Sequence, residues 1–147
     1  MDHSTILKTH LSDLGLPADA IGFVEKLWRV SQFFDDLVDG EAIEGDDFDD
    51  ALRACLIGLP CDPFYSAHAA NLAPVIMMAI EKWRASDFAE LSGRADARSF
   101  VWRAGFYDVV LMCATLSGLT RQPWHSEQFL ALYGETFPEY QREFSHA

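Results

Sequence analysis

The stretch of sequence that decides the fold is residues 96–116, DARSFVWRAGFYDVVLMCATL. Its apolar residues show no sustained alternation with polar ones, so a β-strand is not favoured. Placed on a helix they spread around the whole circumference, and Gly118 follows where helices commonly end. A helix that is apolar on all sides lies at the centre of a fold or is shared with a partner chain. We therefore predict one central helix over 96–116.

Two charged residues interrupt this apolar helix. Arg103 and Asp108 are five apart in sequence, so they do not face each other. Asp108 shares its face with mostly small residues, including Ala104 and Gly105, and such a face permits close approach of another helix. The sequence therefore predicts that each charge is paired with a residue on another helix.

Helix start and stop signals fill the rest of the chain. Gly40 follows a helix predicted over 18–39, and Asp62 is a capping residue placed directly before Pro63. Further helices are predicted over residues 4–15, 46–58 (capped by Asp46 or Asp47), 71–85, 126–133 and 139–144. The sequence thus predicts an all-α fold, with residues 1–147 forming a single domain built as a compact bundle of five to seven helices.

His68 and Asn71 lie three residues apart, near the predicted start of a helix. A metal or substrate role would use both side chains. The structural alternative is a histidine satisfied at a helix start and an asparagine N-cap, with Pro74 tolerated in the first turn. We favour the structural interpretation of both residues. We likewise interpret Arg103 as a structural residue.

Length and composition exclude several classes of protein. Half of the 147 residues are hydrophobic and 23% are charged, which argues for a globular domain and against disorder. A net charge of −12 has the wrong sign for a nucleic-acid binder and would be repelled by an anionic membrane. The three cysteines form no CxxC pair, the N-terminus lacks a signal-peptide pattern, and no apolar run approaches a membrane span. We therefore expect a cytoplasmic protein without nucleic-acid or membrane partners.

Three aspartates cluster at the end of the predicted helix over 18–39. Asp35 falls within its apolar stripe, Asp39 lies one turn further on, and Asp36 is on the wetter side. An inward carboxylate, a like-charged i,i+4 neighbour and the negative end of a helix dipole are three unfavourable features in one place. A divalent cation would resolve all three, so the cluster is a candidate Mg²⁺ or Mn²⁺ site.

The cluster allows several interpretations. Its DDxxD spacing is that of the aspartate-rich motif of isoprenoid synthases, but the chain is about half the size of that fold and has no second such motif. A helical nucleotide pyrophosphohydrolase fits the size better, with Asp108 as an additional ligand, although its glutamate-rich pairing is not matched. The structural alternative pairs Asp35 with a buried base. The candidate bases are Arg53, His68, Arg84 and Arg103.

Six segments, in order, carry a family resemblance. They are FFDDLVDGE (33–41), DDFDDALRACLIGLP (46–60), DPFY (62–65), NLAPVIMMAIEKW (71–83), RAGFYDVVLMCATLSG (103–118) and LYGETFPEYQREF (132–144). Over about residues 20–145 the chain resembles a family of small acidic proteins encoded by tailed bacteriophages and prophages. Phe34 stands where that pattern has Trp, and Cys61 where it has Asn. The resemblance implies a phage or prophage origin and no catalytic residues.

Together these patterns favour a protein that binds other proteins, either itself or a host or virion partner, over an enzyme. No complete catalytic constellation is present, and residues 35–50 contain nine acids and no base, which could attract a basic partner. The alternative is a metal-dependent phosphohydrolase in which Asp35 and Asp39 hold the ion and Asp36 or Asp108 assists.

Overall fold

The computed structural model describes residues 3–120 and 123–144, and within them it contains helices and turns but no strand. The prediction of an all-α fold is confirmed. In chain order the elements are α1 (His3–Asp13), α2 (Ala18–Val38), α3 (Gly45–Arg53), a π-helical segment (Ala54–Gly58), α4 (Pro63–Leu91), α5 (Ala97–Trp102), α6 (Gly105–Leu116), α7 (Pro123–Leu132) and α8 (Phe137–Phe144).

The chain packs as two compact units, residues 1–69 and residues 70–147. The single-domain interpretation of the sequence stays a prediction. Each unit has its own buried apolar residues, and each is described by itself below. None of the helices within the described residues is long and apolar enough to span a membrane.

The core of the first unit is centred on α2. Phe23 is fully buried and its ring contacts those of Phe64 and Tyr65, with ring centroids 6.0 and 5.8 Å away. The helix ends as predicted, because Gly40 adopts a left-handed conformation (φ 76°) that an L side chain would disfavour. The other buried apolar residues of this unit come from α1, α2, α3 and the connection between α1 and α2, and are Leu11, Leu14, Leu16, Ala20, Ile21, Val24, Val30 and Ala51.

The helix predicted over 46–58 differs from the structure at both ends. Glu44, not Asp46 or Asp47, occupies the N-cap position of α3, and the two aspartates lie in the first turn, where the helix dipole favours them. After Arg53 the backbone widens into the π-helical segment. Leu56 and Ile57 lie in this segment and are exposed.

The long helix α4 begins where the sequence predicted a helix start and continues through a second one. The Asp62 carboxylate accepts the backbone N–H of Tyr65 at 3.0 Å, which confirms the cap before Pro63. The predicted cap at Asn71 is wrong, because Asn71 lies inside α4 and is exposed. The interruption falls instead at His68, whose φ of −126° is non-helical and whose ring packs 4.7 Å from that of Phe64.

The apolar stretch over 96–116 forms two helices instead of the single helix predicted. Asp96 caps α5 by accepting N–H groups of Arg98 and Ser99, and α5 ends at Trp102. A new helix, α6, begins at Gly105, where a Cβ would lie 2.9 Å from backbone atoms of Ala79 on α4. The predicted close approach of another helix is therefore present, and it coincides with the break.

Aromatic rings and small residues form the core of the second unit. The Phe100 ring lies 5.1 to 5.3 Å from those of Tyr133, Phe137 and Tyr140, and Tyr140 is fully buried. The other buried apolar residues of this unit are Leu72, Ala79, Val109, Val110, Cys113 and Ala114. Cys113 is buried in this core and, like Cys55 and Cys61 of the first unit, forms no disulfide.

Candidate functional site

The predicted acidic cluster lies at the C-terminal end of α2. Asp35 and Asp36 are both half-buried and Asp39 is exposed, so the expected contrast between an inward Asp35 and a wetter Asp36 is not present. Asp39 is the C-cap, and its N–H donates to the Asp35 carbonyl at 2.9 Å. Asp35 is not without a partner, because it also takes part in a polar or electrostatic interaction with neighbouring groups.

Three of the four bases considered as partners for Asp35 make ion pairs with other carboxylates, whereas the ring of the fourth, His68, packs against Phe64. Arg53 binds Asp49 at 2.7 Å, and Arg84 lies 3.6 Å from Asp87. Arg103 is held by three glutamates of the second unit, at 3.3 to 3.9 Å.

The metal interpretation gains no ligand set from the geometry. Within the described ranges, no three His, Cys, Asp or Glu side chains are grouped so that they could hold an ion. Asp108 accepts a 2.6 Å hydrogen bond from Lys82 on α4. The metal site at Asp35, Asp36, Asp39 and Asp108 and the phosphohydrolase built on it therefore stay predictions.

Arg103 is the hub of a charged network in the second unit. Its guanidinium lies 3.7 Å from Glu90, 3.3 Å from Glu135 and 3.9 Å from Glu143. It also stacks 5.0 Å from the centre of the Tyr140 ring, which adds a cation–π attraction. Arg103 thus joins α4, the segment before α8 and α8 itself, in agreement with its structural interpretation.

Hydrogen bonds extend this network into the core. The Ser86 hydroxyl donates to the Ser99 carbonyl at 2.9 Å, and the hydroxyls of Ser99 and Tyr140 are 2.6 Å apart. The Tyr140 hydroxyl in turn donates to the Glu90 carboxylate at 3.0 Å. Sequence reasoning missed these residues. Only the D-x-x-S spacing of Asp96 and Ser99, typical of a helix start, was a usable signal.

Burial sets the protonation of the groups in this network. Desolvation raises the pKa of Glu90 although Arg103 pulls it down, and it raises the pKa of Glu135 in the same way. Burial also raises the pKa of Tyr140 to about 12, so its hydroxyl keeps its proton at neutral pH. A tyrosine held neutral acts as a donor that ties helices together, since it is not poised as a base or nucleophile.

An open cleft of about 500 Å³ lies on the second unit, beside this network. We call it the arginine-bordered cleft. It lies between the last turns of α4 and α5, and its lining residues are Ala85, Ser86, Phe88, Ala89, Arg94, Asp96, Arg98, Ser99 and Trp102.

Two aromatic rings and two guanidinium groups give this cleft its chemistry. Phe88 and Trp102 are 65% and 48% exposed, which is high for such large apolar side chains. The Arg94 guanidinium lies over the Phe88 ring at 5.2 Å. Arg98 donates two hydrogen bonds to the Asp96 carboxylate, from Nε at 3.0 Å and Nη2 at 2.8 Å. Both arginines therefore have a defined partner within the cleft, Phe88 for Arg94 and Asp96 for Arg98.

The cleft continues into an exposed apolar row on α4. Residues spaced three or four apart share one face of a helix, and several large apolar residues of α4 follow that spacing in solvent. This row, which we call the α4 strip, consists of Met77, Ile80, Phe88 and Leu91, and the exposed Arg84 lies between Ile80 and Phe88 on the same face.

Neither family models, nor curated proteins, nor solved structures give a match to this chain. The arginine-bordered cleft and the α4 strip are the surface of the second unit with the clearest unsatisfied chemistry, because they hold large apolar side chains in water.

Proposed function

We propose that this protein functions by binding protein and that its partner is a second copy of itself. The observation that carries the proposal is the α4 strip. Its four side chains are 51 to 75% exposed and follow the spacing of one helix face. Monomeric proteins rarely leave large contiguous apolar surfaces in water, and such surfaces commonly bind other proteins.

Burial of the strip would supply the driving force. Covering a large apolar side chain contributes about 1.5 to 3 kcal/mol, so a few residues suffice to offset part of the cost of association. Aromatic side chains and methionine are enriched at interfaces, and the strip with its neighbour Trp102 contains both. The chemistry of the surface is therefore that of an interaction site.

A phage or prophage origin and a cytoplasmic setting belong to the same proposal. The ordered segments that resemble proteins of tailed phages support the origin. The three cysteines, none of which is in a disulfide, are in keeping with a reducing compartment.

Sedimentation velocity over a wide concentration range tests the proposal. We expect the wild type to move from single chains to dimers or larger species as its concentration rises. A strip variant, Phe88→Glu with Leu91→Glu, should stay a single chain because the charges oppose burial. Leu130→Glu is the matched control, since Leu130 is 76% exposed on α7 and outside the strip, and it should behave as the wild type.

Two results would contradict the proposal. One is a wild type that stays monomeric at the highest concentration reached. The other is a strip variant that associates as strongly as the Leu130→Glu control.

A further inference from the structure

We infer that the arginine-bordered cleft of one copy receives helix α3 of another copy. The inference rests on the proposed self-association and names the two surfaces that meet. One surface is the cleft, whose lining includes the rings of Phe88 and Trp102 and the guanidinium groups of Arg94 and Arg98. The other is the acidic helix α3 around Phe48.

The cleft calls for an occupant that is both apolar and acidic. Its lining offers the rings of Phe88 and Trp102, which gain free energy when an apolar side chain covers them. A guanidinium carries five N–H donors, and Arg98 uses only those of Nε and Nη2 on Asp96. The remaining N–H donors of Arg98 are suited to binding carboxylates, with which arginine forms its strongest hydrogen bonds.

Helix α3 has the complementary pattern. Phe48 and Leu52 are 57% and 46% exposed and lie four residues apart on one helix face. Asp47 and Asp49 flank Phe48 along the chain, and Asp49 also accepts a hydrogen bond from Arg53 at 2.7 Å. Phe48, with an aspartate on either side in the sequence, thus complements a cleft that contains two aromatic rings and two arginines.

The distribution of charge favours a second copy as the source of this helix. Residues 1–69 carry 14 acidic and 4 basic residues, whereas residues 70–147 carry 9 acidic and 7 basic residues. The first unit, which holds α3, therefore has a net charge of −10, whereas the second, which holds the cleft and 7 of the 11 basic residues, has a net charge of −2. Attraction between the acids of α3 and the two arginines of the cleft would orient an encounter and fix its register.

Each copy offers one cleft and one helix, so the contact joins two different surfaces. Such contacts close into a ring or a reciprocal pair, or they continue into a chain of copies, according to the rotation between neighbours. This property gives the inference a direct test, because two copies that are damaged at different surfaces retain one intact contact between them.

The test mixes two charge-reversed variants of the full chain. The cleft variant carries Arg94→Glu and Arg98→Glu, and the helix variant carries Asp47→Lys and Asp49→Lys. Each alone should associate roughly tenfold more weakly than the wild type, since like charges then face each other. Mixed in equal amounts, they should recover association, because the helix of the first still fits the cleft of the second, and the reversed charges of the other contact again have opposite signs.

Controls separate folding from recognition. Arg29→Glu reverses an exposed arginine of α2 and should associate as the wild type. Circular dichroism establishes that each variant keeps its helices. If the cleft variant loses its helices, Trp102→Glu replaces it. This change removes an aromatic ring from the cleft, adds a negative charge there and leaves both arginines intact.

The outcomes distinguish the inference from the proposal beneath it. Variants that associate like the wild type overturn the inference and leave self-association standing through another surface. Variants that stay apart when mixed also overturn it, since they show that the contact does not join α3 to the cleft. A wild type that never associates removes both.

Discussion

Single side chains in this protein differ in how easily water can replace a lost partner. Asp62 is 3% exposed, whereas its partner Lys26 is 42% exposed, and their charged atoms are 2.7 Å apart. The carboxylate also caps α4 through the N–H of Tyr65. Removal of the aspartate and removal of the lysine should therefore lower the free energy of unfolding by different amounts.

Substitution of each partner should show this inequality. Asp62→Asn keeps a capping oxygen and leaves a lysine that reaches water, so we expect a loss of about 1 kcal/mol in the free energy of unfolding. Lys26→Met leaves a buried carboxylate without its cation and should cost about 3 kcal/mol. Urea unfolding of both variants measures the difference. Equal losses would show that Asp62 reaches water more readily than its burial indicates.

The glutamate at the centre of the Arg103 network predicts an unusual dependence on pH. Burial raises the pKa of Glu90, so the folded chain holds this proton more tightly than the unfolded chain does. Stability therefore falls as pH rises from about 4.3, the value of an unfolded glutamate, through the raised pKa. Below both values Glu90 makes no pH-dependent contribution.

Glu90→Gln tests this direction because glutamine resembles the protonated acid. Relative to the wild type, we expect the free energy of unfolding of the variant to increase between about pH 4 and about pH 7. Denaturant titrations across that interval measure it. A variant that loses stability relative to the wild type as pH rises would show that attraction to Arg103 outweighs desolvation.

Residue chemistry could be predicted from the sequence where the signal is local. Asp62 before Pro63 is a cap defined by neighbouring residues, and it is present. The need of Arg103 and Asp108 for partners on other helices also follows from their place in an apolar helix. The identity of those partners does not, because Glu90 and Lys82 reach them only through tertiary packing.

At the scale of elements, the most informative position is Gly105, the first residue of α6. It is buried, and its missing side chain lets α6 approach the backbone of Ala79 on α4. The sequence indicated a small-residue face here but not a break, because the apolar residues continue unchanged across it. A glycine inside a helical pattern fits either a close contact or a helix end, and here it serves both.

Two glycine substitutions separate packing from helix propensity. Gly105→Ala places a methyl group against backbone atoms that cannot easily shift, so we expect a loss of about 1 to 3 kcal/mol. Gly22→Ala lies inside α2, where no atom stands within 4 Å of the new methyl group, and should gain about 0.5 to 1 kcal/mol. Thermal or denaturant unfolding compares them. A neutral Gly105→Ala would show that α4 and α6 adjust without cost.

Element bounds that depend on local caps were predictable, whereas those set by tertiary contacts were not. Gly40 ends α2 as the sequence indicates. Asn71 has the chemistry of a cap but lies within α4, because the helix that starts at Pro63 runs on past the kink at His68. The π-helical segment has no sequence signature of its own, so the exposure of Leu56 could not be foreseen.

For the whole molecule, composition indicated an acidic helical protein and an interaction role, but not the surface that would serve it. The sequence predicted a candidate site at the acidic end of α2 and a central apolar helix. The structure directs attention instead to α4 and α5, where Phe88 and Trp102 stay in water beside arginines. Exposure of a particular apolar residue is a property of packing, so periodicity alone does not reveal it.

Self-association should make the stability of the folded chain depend on its concentration. If only folded copies associate, each tenfold rise in concentration stabilises a dimer by about 1.4 kcal/mol, or about 0.7 kcal/mol per chain. For a chain of this length that corresponds to a rise in Tm of about 2 °C. We expect this rise in the wild type and in Leu130→Glu, and a constant Tm in the Phe88→Glu, Leu91→Glu variant. A wild-type Tm that stays constant over a hundredfold range would mean that the folded chain gains no stability from its own copies, which contradicts the proposed function.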